Sequence, residues 1–498
     1  MIDLSLAQVA DIVGGRLVDV TAEEAAALRV TGTVEFDSRA IGPGSLFLAL
    51  PGARSDGHDF AAAAVDAGAV GVLAARPVGV PAVVVDPIAA EDGAAGVLEH
   101  DSDGSGAAVL AALGKLAAAV ATELAAGGLT IIGITGSSGK TSTKDLIAAV
   151  LAPLGEVIAP PGSFNNELGH PWTVLRATAD TDFLVLEMSA RHRGNIAALA
   201  RIARPSIAVV LNVGTAHLGE FGSREAIADT KSELPESVPA SGVVILNADD
   251  SVVAKMAEVT EARVVRVGRT DSASDRIDVW ADHVTLDALA RPQFTLHTAD
   301  GQVGVSLSVH GDHQVSNALC AAAVALECGA SLEQIADALA TAGPVSRQRM
   351  AVTTRSDGVT IVNDAYNANP DSMSAGLKAL AWMGREGSGE GRTFAVLGEM
   401  GELGEDSITE HDRIGRLAVR LDVSRLVVVG TGRPMSAMLN GAVMEGSWGS
   451  EATPVADADA ALELLRAELR PGDVVLVKAS NAAGLGRVAD ALIAEDSR

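Results

Sequence analysis

The feature that most constrains the fold of this chain is Gly133-Ile-Thr-Gly-Ser-Ser-Gly-Lys-Thr-Ser-Thr-Lys144, which grows out of the apolar run Leu129–Ile134 and leads into a helical stretch, Asp145–Leu151. A strand that passes through a glycine turn into a helix belongs to α/β architecture. Gly136 and Gly139 let backbone N–H groups turn inward around a phosphate, and the helix N-terminus adds a favourable dipole. Lys140 is placed to neutralise the β- and γ-phosphates, and Thr141 to offer a hydroxyl to Mg²⁺. The general P-loop has its first glycine where this chain has Ile134; here the glycine is Gly133. The signal is thus a variant, Gly-x-Thr-Gly-x-x-Gly-Lys-Thr, and Gly136, Ser137, Ser138, Gly139, Lys140, Thr141 and Ser142 are its candidate nucleotide-binding residues.

The surrounding pattern extends this architecture. Leu129–Ile134, Phe183–Leu186, Ile207–Leu211 and Val243–Leu246 are short apolar runs separated by helical stretches, which predicts a mostly parallel sheet covered on both faces. Gln293–Val309 alternates like edge hairpin strands, and the helices Val315–Gly329 and Leu332–Thr341 follow. Beyond Gly343-Pro344, Val359–Val362, Thr393–Leu397, Leu426–Val429 and Val474–Val477 predict a smaller Rossmann-like domain, with Arg385–Arg392 as a surface loop. Upstream, Ser45–Leu50, Ala82–Val85 and the helical His58–Ala67 form a small α/β unit that ends in Glu91–Gly106, rich in Gly, Asp and Ser and read as a linker. For 498 residues, three domains follow: 1–106, 107–343 and 344–498.

Composition narrows the partners. Lys+Arg 37 against Asp+Glu 64 gives a net charge of −27, which repels nucleic acid and anionic membranes and requires a local basic pocket for any anionic substrate. The two cysteines, Cys320 and Cys328, lie in one Ala-rich helical stretch and define neither a disulfide framework nor a metal site. The N-terminus carries acids in place of a basic leader and reads as an amphipathic helix capped by Ser5. Phe60–Ala75 and Ala107–Ala121, broken by Asp66 and Lys115, fall short of the ~20 residues of a bilayer span. A cytoplasmic protein without stable membrane insertion is expected, and a monomer.

Glu187 ends the strand Asp182-Phe-Leu-Val-Leu-Glu187, at the edge of a parallel sheet where ligands bind, and can reach a metal on a triphosphate. His217 stands just beyond the next strand, and its imidazole could flank the same cation. Lys231, at the following helix, reads equally as a surface lysine. Asn165 and Asn166, in Ser163-Phe-Asn-Asn-Glu-Leu-Gly-His-Pro171, suit hydrogen bonding to a ligand carbonyl or a structural Asx turn.

The phosphate loop, Ser163–Pro171, Glu187 and Ala216-His-Leu-Gly219 are followed by Gly311-Asp-His-Gln-Val-Ser-Asn317 and Tyr366-Asn-Ala-Asn-Pro370. This succession resembles the Mur ligases of peptidoglycan synthesis over essentially the whole chain. Val396–Gly404, Phe36-Asp-Ser-Arg39, Gly44–Phe47 and Asp56-Gly-His-Asp-Phe60 are further marks of it. The resemblance implies an ATP- and Mg²⁺-dependent amide ligase and, within the family, the activity that adds D-alanyl-D-alanine to UDP-N-acetylmuramoyl-tripeptide. By the same resemblance Lys140, Glu187, His217 and Lys231 are catalytic, with Lys231 matching a lysine that is carbamylated in some members. Thr141, Glu187 and His217 serve the metal. Asn317 approaches the adenine, and Arg349 the ribose or phosphate. Ser38, Arg39 and His58 lie in a UDP-binding domain, Asn165 and Asn166 at the substrate, and Asn367 and Asn369 near the dipeptide and nucleotide. The chain departs from the family at Glu187-Met-Ser-Ala-Arg-His-Arg-Gly194 and at Lys478-Ala-Ser-Asn481.

Two other kinds of activity fit the loop alone. A folylpolyglutamate synthase or a Mur ligase adding another amino acid would keep the chemistry, but Tyr366-Asn-Ala-Asn-Pro370 argues against both. A P-loop NTPase that drives a partner would release phosphate with no amine acceptor.

Overall fold

The structure, a computed structural model, describes residues 1–88, 98–215, 218–269, 277–343, 345–386, 391–446 and 451–495. The chain forms three α/β units in sequence order. In the first, a five-stranded sheet runs Arg16–Val18, Ala82–Val84, Ala69–Ala74, Ser45–Leu48, Val34–Glu35. Its strands are parallel apart from Arg16–Val18. The expected N-terminal helix is Leu6–Val13. Ser5 and Gln8 close a reciprocal capping box at its start, and Gly14, at φ 73°, ends it.

The central sheet has nine strands. Five are parallel around Thr130–Thr135, with Phe183–Glu187 and Val157–Ile158 on one side and Ile207–Val210 and Val243–Asn247 on the other. Arg263–Gly268 and the start of Val279–Leu286 continue the parallel order, and Pro292–Thr298 and Gly301–Ser306 close it as an antiparallel hairpin. The third unit is a six-stranded sheet ordered Ala351–Thr354, Thr360–Asn363, Val474–Lys478, Thr393–Leu397, Arg425–Val429, Ala452–Val455, antiparallel only at the first pair. The α/β class and the three-part architecture are as the sequence predicts. Short all-apolar strands such as Phe183–Glu187, buried along their whole length, need helices on both faces, and they have them.

Three local expectations change. Residues 98–106 of the stretch read as linker are built into the fold. Asp101 is buried and accepts from the N–H groups of Gly106 and Ala107 at 2.9 and 2.8 Å, so Asp101–Gly106 caps a helix. That helix, Ser105–Ala126, has 22 residues, and an 18-residue stretch of it has a mean hydropathy of 1.6, long and apolar enough to cross a membrane by those measures. Here it is a core helix, packed against Leu6–Val13, Gly169–Val174 and Asn195–Ile202, and Lys115, which interrupts its apolar run, donates to Val13 O at 3.1 Å. The helix after the phosphate loop starts at Lys140 instead of Asp145. Pro344 at the expected second boundary, residues 89–97 of the linker region and residues 387–390 of the expected surface loop lie outside the described residues.

Candidate active site

The strand Thr130–Thr135 delivers the chain to the loop 136–139 at the C-terminal edge of the central sheet. Gly139 caps the helix Lys140–Leu151 at φ 83°, a left-handed conformation that side chains rarely adopt. A Cβ there would stand 2.8 Å from Asn317 Oδ1, so loop and helix pack closely only because position 139 is glycine. Asn317 is buried and donates to Gln314 at 2.8 Å, which places it behind the loop. Since the helix begins at Lys140, Thr141 and Ser142 lie in its first turn.

Glu187 and Thr141 meet at this edge. The Thr141 hydroxyl donates to Glu187 Oε2 at 2.9 Å, and the Asn165 amide donates to Oε1 at 2.6 Å. Ser163 Oγ lies 2.7 Å from Thr141 Oγ1. One buried carboxylate and two hydroxyls thus converge, a hard all-oxygen set of the kind that suits Mg²⁺. His217 and Ala216 lie outside the described residues, and among the described residues no group of three or more His, Cys, Asp or Glu gathers to hold a metal. The two asparagines divide the readings offered for them: Asn165 holds the carboxylate, whereas Asn166 Oδ1 accepts from Gly169 N at 2.9 Å and closes a turn.

Lys140 donates to Gly136 O at 2.7 Å. Burial lowers its pKa, with Arg349 acting in the same sense and Glu187 opposing them. Lys231 is buried, with no hydrogen-bond or ion-pair partner among the described residues. Burial, and then the charge of Lys140, push its pKa well below the ordinary lysine value. It is no surface lysine.

The third unit closes onto this edge. Arg349 Nη2 donates to Ser163 Oγ at 3.0 Å and to Thr141 Oγ1 at 3.3 Å, and its guanidinium lies over the Tyr366 ring at 4.2 Å. Asn369 Nδ2 is 3.5 Å from Ser137 O, and Asn369 Oδ1 accepts from Ser372 N at the start of the helix Pro370–Glu386. The Asn367 carbonyl accepts from Lys478, which pairs with Asp364 at 2.6 Å. Ser38, Arg39 and His58 stand apart, in the first unit. Arg39 is exposed and paired with Asp37, which it holds down to about 2. His58 is buried, its Nδ1 2.6 Å from Asp56 and its Nε2 accepting from Ala75 N at 3.1 Å. Both ring nitrogens are thus engaged within the first unit.

Several residues with a place here escaped the sequence reading. Asn212 Oδ1 accepts from the N–H groups of Ser137 and Ser138 at 3.0 and 2.9 Å, holding the loop from the neighbouring strand end. Lys144 is buried, donates to Pro160 O at 2.7 Å, and pairs with Asp145, which accepts from Ser346 N in the third unit. Arg191, in the segment that departs from the family pattern, reaches Glu402 at 3.5 Å and Glu220 at 3.9 Å. Arg191 and Glu220, with His192, Arg193, Asp229 and Thr230, border a cavity of about 180 Å³. Its only early signal was basic residues in an acidic chain.

Comparison with known proteins identifies the family. The model of the Mur ligase family, catalytic domain, matches residues 32–120; that of the Mur ligase middle domain, residues 134–325; and that of the Mur ligase, glutamate ligase domain, residues 348–481. The chain is 73% identical to the UDP-N-acetylmuramoyl-tripeptide--D-alanyl-D-alanine ligase of Mycobacterium tuberculosis (strain ATCC 25618 / H37Rv), with 100% of this chain and 99% of that protein covered. It is 34% identical to the ligase of the same name from Escherichia coli (strain K12), covering 86% of each. A crystal structure of MurF from Acinetobacter baumannii matches with a TM-score of 0.81 at 29% identity, over 99% of both chains. MurF ligase from Thermotoga maritima in complex with ADP matches with a TM-score of 0.75 at 28% identity, over 94% of this chain and 98% of that one. The chain belongs to the Mur ligase family and is MurF-like within it.

Proposed function

We propose that this chain is an ATP-dependent acid–amino-acid ligase of peptidoglycan synthesis that joins D-alanyl-D-alanine to UDP-N-acetylmuramoyl-tripeptide, releasing ADP and phosphate. The observation that carries the reading is the convergence of Lys140, Thr141 and Glu187 at one sheet edge with Arg349 from the third unit. The names of the 73%-identical relatives support the substrates. In this reading residues 1–106 grip the UDP end through Ser38 and Arg39, 107–343 hold ATP, and 344–498 bring the dipeptide, with Asn367 and Asn369 beside it. The protein works as a cytoplasmic monomer on small molecules, bound to neither nucleic acid nor membrane.

An amine and a carboxylate in water form a salt, and hydroxide is a poor leaving group. A carboxylate oxygen of the tripeptide therefore attacks the γ-phosphorus, the bond to ADP breaks, and an acyl phosphate forms. The deprotonated dipeptide amine adds to its carbonyl, and phosphate leaves. Lys140, Arg349 and the loop N–H groups of 136–142 stabilise charge on the transferring group by position, and Asn317 borders the nucleotide. Glu187 and Thr141, with His217 by family resemblance, would hold Mg²⁺, which supplies charge to the phosphate oxygens when bound. A depressed Lys231 pKa supports a neutral amine, the form that carbamylation requires. Contacts from the third unit to Ser137, Thr141 and Asp145 exclude water from an intermediate that hydrolyses readily. The test is phosphate release with each substrate omitted in turn. Release that requires ATP, the UDP-tripeptide and D-alanyl-D-alanine together, and is lost in Lys140→Ala without unfolding, supports the ligase; release from ATP alone supports an NTPase.

A further inference from the structure

Ser163, Phe164 and Asn165 are consecutive, yet their side chains serve two different units. Ser163 is bonded to Thr141 and Arg349, and Asn165 to Glu187, all at the phosphate-loop edge. Phe164, between them, joins an aromatic cluster: its ring centroid is 4.8 Å from that of Trp172 and 6.5 Å from that of Phe36, and Phe36 meets Trp172 edge-on at 5.9 Å. Arg176 lies 5.2 Å over the other partner, Trp172. The close seating of Phe164 depends on Gly169, where a Cβ would come 2.7 Å from the Phe164 Cα. Phe36 belongs to the first unit and directly precedes the turn Asp37-Ser38-Arg39, so the cluster spans the two units.

A shift of Phe36 is therefore passed to a segment whose next side chain on either side holds a group of the phosphate-transfer site. Ser189 adds to the rigidity of that link, its hydroxyl lying 3.0 Å from Asn165 Oδ1 and 3.1 Å from Asn165 O. We propose that Phe36 and Phe164 are positioning residues that couple the Ser38-Arg39 turn to Glu187 and Thr141, so that the UDP-linked substrate and the nucleotide bind cooperatively. The proposal rests on the substrate reading given above. Neither ring touches a reacting atom; both act through Asn165 and Ser163. Cooperativity of this kind is reciprocal, so it is measurable from either ligand.

The experiment compares full-length wild type with Phe36→Leu, Phe36→Tyr and Phe164→Leu, measuring ADP affinity with and without saturating UDP-N-acetylmuramoyl-tripeptide. In wild type the tripeptide should tighten ADP binding about 5-fold or more, the lower end of ordinary coupling. Both leucine variants should bind ADP alone as wild type does and lose the enhancement, while Phe36→Tyr, which keeps the ring, should retain it. A purely structural role would lower thermal stability and leave the ratio intact. An unchanged ratio in the folded leucine variants, or a wild-type ratio of one in an enzyme that still ligates, overturns the coupling. Wild-type protein that releases no phosphate with all three substrates present overturns the ligase reading instead. Phe164→Leu answers the question even where Phe36→Leu fails to fold.

Discussion

The side-chain amide of Asn165 lies 2.6 Å from Glu187 Oε1, so the carboxylate at the strand end is held by a residue of a separate loop. The other oxygen takes the Thr141 hydroxyl, and the carboxylate plane is thereby fixed. Asn165→Ala leaves Oε1 without that donor. Activity should fall about 10- to 100-fold, the cost of removing a partner that orients the proposed metal ligand Glu187, with the fold unchanged. Steady-state phosphate release at saturating substrates checks this, and a variant within about twofold of wild type would remove Asn165 from that role.

Lys231 gives a prediction of opposite sign for stability and activity. Its pKa is lowered in the folded protein, so the unfolded chain binds a proton that the folded chain does not. Stability from this group therefore rises with pH from its depressed folded value up to the ordinary lysine value of 10.5, and is low at neutral pH. Lys231→Met should melt at a higher temperature than wild type at pH 7, with the gap narrowing towards pH 10, while ligation is lost. Melting curves across that range decide it; a lower melting temperature at pH 7 would show that Lys231 is stabilised by partners.

The ion pair between Lys478 and Asp364 is buried on both sides. Removing only the cation, as in Lys478→Met, strands a carboxylate in the interior and should cost about 3–5 kcal/mol. The double variant Lys478→Met/Asp364→Asn should recover part of that loss. Denaturant unfolding followed in the third unit tests the pair, and equal losses in the single and double variants would argue against stranded charge as the cause.

What the sequence disclosed was local. Gly136, Gly139, Lys140 and Thr141 lie within one turn, and the strand before them and the helix after them are visible in the same few residues. Glu187 was legible because it ends an apolar strand. The helix start at Lys140 was not, since Lys-Thr-Ser-Thr has weak intrinsic helix preference and is held by burial of Thr141, Thr143 and Lys144. Asn212 and Lys144 acquire their partners from strands and loops distant in sequence, and no spacing rule anticipates them. His58 was placed in the UDP-binding unit by resemblance alone; only the fold brings Ala75 to its Nε2, while Asp56 holds Nδ1 locally. Asp101-Ser-Asp-Gly-Ser-Gly106 has linker composition, yet the same residue types cap helices.

Activation of the tripeptide carboxylate by ATP as an acyl phosphate moves one carboxylate oxygen onto the phosphate, and isotope labelling follows that oxygen. With ¹⁸O in the terminal carboxylate of UDP-N-acetylmuramoyl-tripeptide, and ATP and D-alanyl-D-alanine present, each phosphate released should carry one carboxylate oxygen. The phosphate should appear in step with the amide product. Phosphate that draws its new oxygen from water, with no label from the tripeptide, would rule out the acyl phosphate.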